Sequence, residues 1–152
     1  ITGTGFGGVP LVNVFDGATG RLARSFFGFN ASFTGGVSVV SADFDGDGKA
    51  DVVVGTGMSS QPDIREFSGA TGALVAQSAG YGNTGGITFA AIDDDGDGKP
   101  DLVIGHETMS AFHGGEILKG TTLARIGGWG NITGFEEAPN VNGAYLAAWD
   151  VM

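Results

Sequence analysis

The sequence predicts an all-β chain built from repeated four-stranded units of about fifty residues. Three observations lead there. Gly36–Asp43 reappears as Gly86–Asp93 fifty positions on, with a weaker third copy at Gly143–Asp150. The apolar runs are short, rich in β-branched and aromatic residues, and bounded by glycine: Leu11–Phe15, Val37–Ser41, Val52–Val54 and Leu102–Ile104. Thirty of the 152 residues are glycine, and no window shows a 3.6-residue period. Each glycine inside a helix would cost about 1 kcal/mol relative to alanine. Four strands with their turns fill such a period, the size of a β-propeller blade, whereas a β-sandwich requires no fixed repeat.

In chain order, Ile1–Gly5 aligns with Val53–Gly57, so the chain opens one residue past the start of a unit's second strand. Leu11–Phe15 is the next strand, and the turn Phe15–Gly20 recurs as Phe67–Gly72. Leu22–Arg24 returns as Leu123–Arg125 after what reads as a shorter turn at Lys119–Gly120. Val37–Ser41 leads to an acidic loop ending at Asp51, and Val52–Val54 leaves it. Gly86–Ile92, a second acidic loop and Leu102–Ile104 repeat that order. The chain thus reads as one repeat domain with units at approximately 1–50, 51–100 and 101–152. A longer connection at His106–Gly115 and the stretch Gly127–Asn142 set the third unit apart. Propellers close with four or more blades, so closure is expected to need more chain or more copies.

The net charge of −10 argues against binding nucleic acid or anionic lipid through a basic surface. Cations, carbohydrates or proteins are the expected partners. Cysteine is absent, so neither disulfides nor thiolate metal sites staple the fold. No run reads as a membrane span or a signal segment.

Nine of the seventeen acids fall in two nonapeptides. Asp43, Asp45, Asp47 and Asp51 stand at positions one, three, five and nine of the first, and Asp93, Asp95, Asp97 and Asp101 repeat that spacing. Four carboxylates in so short a loop repel one another, and a hard cation taking six to eight oxygens at ~2.3–2.6 Å turns the repulsion into coordination. The predicted ligands are these eight aspartates with the backbone carbonyls of Lys49 and Lys99 at position seven, for two Ca²⁺ ions. Gly48 and Gly98 stand where the loop turns sharply. An EF-hand would need a bidentate Glu at position twelve, but Val54 and Ile104 stand there and apolar strand-like runs follow. The third loop retains only Asp150, so no third complete site is expected.

The paired loops, the Gly-Thr-Gly ending at Gly55–Gly57 and the Phe-Asp-Gly-Ala-Thr-Gly turn at Phe15–Gly20 resemble the FG-GAP or VCBS repeats of integrin alpha subunits and secreted bacterial proteins. The resemblance covers most of the chain and weakens after Gly105. It implies a β-propeller whose calcium ions are structural, lying between the first two strands of a blade. It also implies a secreted or cell-surface segment serving adhesion, ligand binding or assembly. Because related propellers scaffold some polysaccharide lyases, an enzyme scaffold is the alternative. A purely structural protein that self-assembles into rings or fibres through its terminal strands is another.

No nucleophile–base constellation is evident, and the chain is read as non-catalytic. His106, Glu107 and His113 lack the HExxH spacing of a zinc site and read as ordinary loop residues. Asp94 is expected to face outward. Trp129 is a candidate for an exposed stacking contact and Trp149 for core packing. The sequons at Asn30–Ser32 and Asn131–Thr133 stay unassigned.

Overall fold

The computed structural model describes residues 1–57, 61–79, 85–107 and 115–129. Among them are eleven strands: β1 (Thr2–Gly3), β2 (Leu11–Phe15), β3 (Leu22–Phe27), β4 (Val37–Ala42), β5 (Asp51–Thr56), β6 (Asp63–Phe67), β7 (Leu74–Ala79), β8 (Gly86–Ile92), β9 (Asp101–Glu107), β10 (Gly115–Leu118) and β11 (Arg125–Trp129). The described residues contain no helix. All pairings are antiparallel, and they form three sheets ordered β1-β2-β3, β4-β5-β6-β7 and β8-β9-β10-β11. Each is a meander, the blade-like unit expected from the repeat, and the three do not close into a ring.

The register carries the repeat into three dimensions. Thr2 opposes Asn13 as Val54 opposes Arg65, each partner shifted by 52 residues. β1 therefore occupies the place of β5, and the first sheet displays the second to fourth strand positions. β8 runs beside β4, and β1 beside β4, so neighbouring sheets approach most closely along their inner strands.

The middle sheet is covered on both faces, which explains the unbroken apolar run of β5. Val53 points into one core with Phe44, Ile64, Ile87, Leu102, Ile104 and Leu118. Val52 and Val54 point the other way, against Val12 and Phe29. Burial of each such side chain contributes about 1.5–3 kcal/mol.

Two expectations are corrected. His106 and Glu107 belong to β9, opposite Ile87 and Gly86, because the seven-residue β8 supplies ladder partners that far. They do not open a loop. The Lys119 turn is also no shorter than the others. Leu123 N–H donates to Lys119 C=O as Gly72 N–H does to Ser68 C=O and Gly20 N–H to Asp16 C=O. Leu123 therefore stands at the turn glycine, with φ at +54°, and not at Leu22. Burial of its side chain in the core offsets a left-handed conformation that costs about 1–2 kcal/mol. His113, the second sequon, Trp149 and the third copy lie outside the described residues.

Candidate metal centre

Both acidic nonapeptides are loops between the first two strands of a four-stranded sheet: 43–50 joins β4 to β5, and 93–100 joins β8 to β9. Their backbones fold on their own carboxylates. Asp43 Oδ1 accepts from Gly46 N–H and Oδ2 from Gly48 N–H, both at 2.9 Å. Asp93 repeats this with Gly96 at 2.9 Å and Gly98 at 3.0 Å. Asp47 Oδ1 accepts from Lys49 N–H and Asp97 Oδ1 from Lys99 N–H. Gly48 and Gly98 both take φ of +84°, the left-handed turn their positions required.

The geometry fits a hard cation. Carboxylate oxygens of Asp43, Asp45 and Asp47 lie within 4.8 Å of one another, as do those of Asp93, Asp95 and Asp101. Oxygens at ~2.3–2.6 Å from one ion stand no farther apart than about 5 Å. Asp51 is outside the first group and Asp97 outside the second. Asp94 is exposed, as expected, whereas Phe44 at the same loop position fills the core.

The position-nine acids are anchors. Asp51 is buried, its Oδ2 accepting from Phe44 N–H at 3.1 Å and its Oδ1 from Gly69 N–H at 2.8 Å. The turn after β6 thereby closes over the loop. A Cβ at Gly69 would collide with the Ala50 carbonyl, so only glycine permits this approach. Asp101, equally buried, receives longer bonds from Asp94 at 3.3 Å and Gly120 at 3.4 Å.

Two charged residues missed in the sequence, Lys119 and Glu66, and the side chain of Lys99, expected to contribute only its carbonyl, complete the site. Lys119 Nζ donates to Asp95 Oδ2 and Asp97 Oδ2, both at 2.7 Å, and stands 3.6 Å from Asp101 Oδ1. Its hydrogen bond is the main reason that Asp97 is held below the usual carboxylate range, and the same contacts raise Lys119. Lys99 Nζ crosses to the other loop and donates to the Asp45 carbonyl at 2.6 Å. Glu66, opposite Val53 and 1% exposed, has an Oε2 without a hydrogen-bond partner. Burial, then the charges of Asp51 and Asp45, push its carboxyl up to about 7. Only the hairpin alignment signals Lys119, which falls where Asp16 and Ser68 stand in the other turns.

The side chains of His106, Glu107 and Trp129 lie outside the described residues. Asn30 is exposed, and its Oδ1 accepts from the N–H and the hydroxyl of Ser32.

No curated protein matches the chain. Residues 43–104, from the first acid of one loop to the strand leaving the other, match the family model described as FG-GAP-like repeat. Over that stretch the chain carries an FG-GAP-like repeat.

Proposed function

We propose that this chain is a calcium-stabilised, non-catalytic segment of a β-propeller, from a secreted or cell-surface protein, that presents its loops to a protein or carbohydrate ligand. The observation that carries the reading is the convergence of three carboxylates in each of two in-register loops. Asp43, Asp45 and Asp47, with Asp51 and the Lys49 carbonyl, would hold one ion. Asp93, Asp95, Asp97 and Asp101, with the Lys99 carbonyl, would hold the other. When bound, Ca²⁺ supplies charge neutralisation at the corner between two strands. The chain's own amides orient the carboxylates, and Asp51 couples the corner to the outer hairpin.

Ca²⁺ suits such a cage better than Mg²⁺, which keeps its waters and demands a tighter octahedron. At a Kd of about 10⁻⁴ M, millimolar calcium stabilises the fold by roughly 1.4 kcal/mol per site. At that affinity cytosolic calcium would leave such sites empty, so the reading calls for extracellular calcium levels. Calcium titration of the metal-free chain tests the reading, with saturable binding expected and its absence at millimolar calcium contradicting it.

A second reading, assembly with further blades of the same kind, is favoured by the outer face of the first sheet. Phe15 and Phe27 lie there, opposite in direction to the buried Val12, and both are exposed. A concentration-independent monomer in native mass spectrometry would exclude self-assembly.

A further inference from the structure

The two loops share spacing and backbone geometry but not their cation environment. In the second loop an ammonium already sits among the acids: Lys119 Nζ lies 2.7 Å from Asp95 Oδ2, 2.7 Å from Asp97 Oδ2 and 3.6 Å from Asp101 Oδ1, two of the three convergent carboxylates among them. Its backbone is pinned by the hairpin, with Lys119 N–H donating to Ala124 C=O and Leu123 N–H to Lys119 C=O. The amine is thus a tethered cation, and tethering on a short span gives an effective concentration of order millimolar.

In the first loop the corresponding hairpin residue is Ser68, whose Oγ accepts from Thr71 N–H at 3.3 Å. Lys99 Nζ reaches this loop but sits on the Asp45 carbonyl, and among the described residues no ion pair to the carboxylates of Asp43, Asp45 or Asp47 is formed. Glu66, opposite Val53, adds a further buried acid with an unpartnered oxygen, where Ile117 stands opposite Val103 in the third sheet.

We propose that Lys119 is the resident cation of the 93–101 loop, so that the two loops are unequal: an exogenous divalent ion enters 43–51 first and enters 93–101 only by displacing Lys119. The inference rests on the calcium reading above and sets the order within it. Calcium withdrawal then unloads the first corner while the second keeps a partly compensating cation from its own chain.

Removing one positive charge at such distances near a solvated surface changes cation affinity by about tenfold. The test is a CaCl₂ titration of the full chain, followed by the amide resonances of Gly48 and Gly98, which donate to Asp43 and Asp93 and report each loop separately. Gly48 is expected to titrate at a calcium concentration at least tenfold below Gly98. Lys119→Ser should bring Gly98 to within about threefold of Gly48, and Ser68→Lys should weaken the Gly48 response about tenfold. Coincident titrations in the unmodified chain, or a Gly98 midpoint unmoved by Lys119→Ser, would overturn the inequality while leaving calcium binding intact. Should Lys119→Ser not fold, the Ser68→Lys response decides. No response at either glycine in any variant would overturn the calcium reading itself and the inference with it.

Discussion

The amide of Gly69 donates to Asp51 Oδ1 at 2.8 Å across eighteen residues of chain, so the last acid of the first loop also locks the outer hairpin of its sheet. The other oxygen of the same carboxylate receives Phe44 N–H, whose side chain fills the core toward the next sheet. One buried carboxylate thereby joins a loop, a hairpin and a sheet interface.

Asp51→Ala strands two amides and is expected to destabilise the metal-free fold by about 2–4 kcal/mol. Asp45→Ala, which removes an exposed carboxylate, should stay within about 0.5 kcal/mol under the same conditions. Urea unfolding in EDTA separates the two. Equal effects would remove the distinction between the buried, anchoring Asp51 and the exposed Asp45.

Gly69→Ala drives a Cβ into the Ala50 carbonyl and against Asp51 N. A cost of about 1–3 kcal/mol is expected, read from the shift in urea midpoint. A neutral substitution would mean that the hairpin does not close over the loop in solution.

Glu66 makes stability depend on pH in the direction opposite to an ion-paired acid. Its folded carboxyl is raised from 4.5 to about 7 by burial first and then by Asp51 and Asp45. The folded state therefore favours the proton: the contribution is complete below pH 4.5 and is lost as pH rises through about 7. Glu66→Gln in EDTA should be close to neutral at acid pH and stabilise the fold above pH 7, by up to about 3 kcal/mol. Thermal melts of both proteins across that range check the sign, and a gap that does not widen with pH would contradict it.

The strand order and the acidic loops were legible because both are local in sequence. Alternating apolar runs, turn glycines and a fifty-residue offset specify strand, loop and strand without reference to distant residues. Lys119, Glu66 and the ammonium of Lys99 were not legible as parts of the site, because each reaches a loop through sheet register or packing. Leu123 misled for a related reason. Its match to Leu22 followed residue identity, while the hairpin's hydrogen bonds place it where the other turns have glycine. His106 and Glu107 were read as loop because β9 outruns its apolar segment, and only the length of β8 shows why.

The most direct test of the acidic corners as cation sites is the melting temperature of the metal-stripped chain with and without calcium. About 1 mM CaCl₂ is expected to raise it by about 3–6 °C for each site filled, with Asp45→Ala removing the share of the first loop. An unchanged melting temperature at that calcium concentration, with Asp45→Ala indistinguishable from the unmodified chain, would contradict divalent stabilisation of this fold.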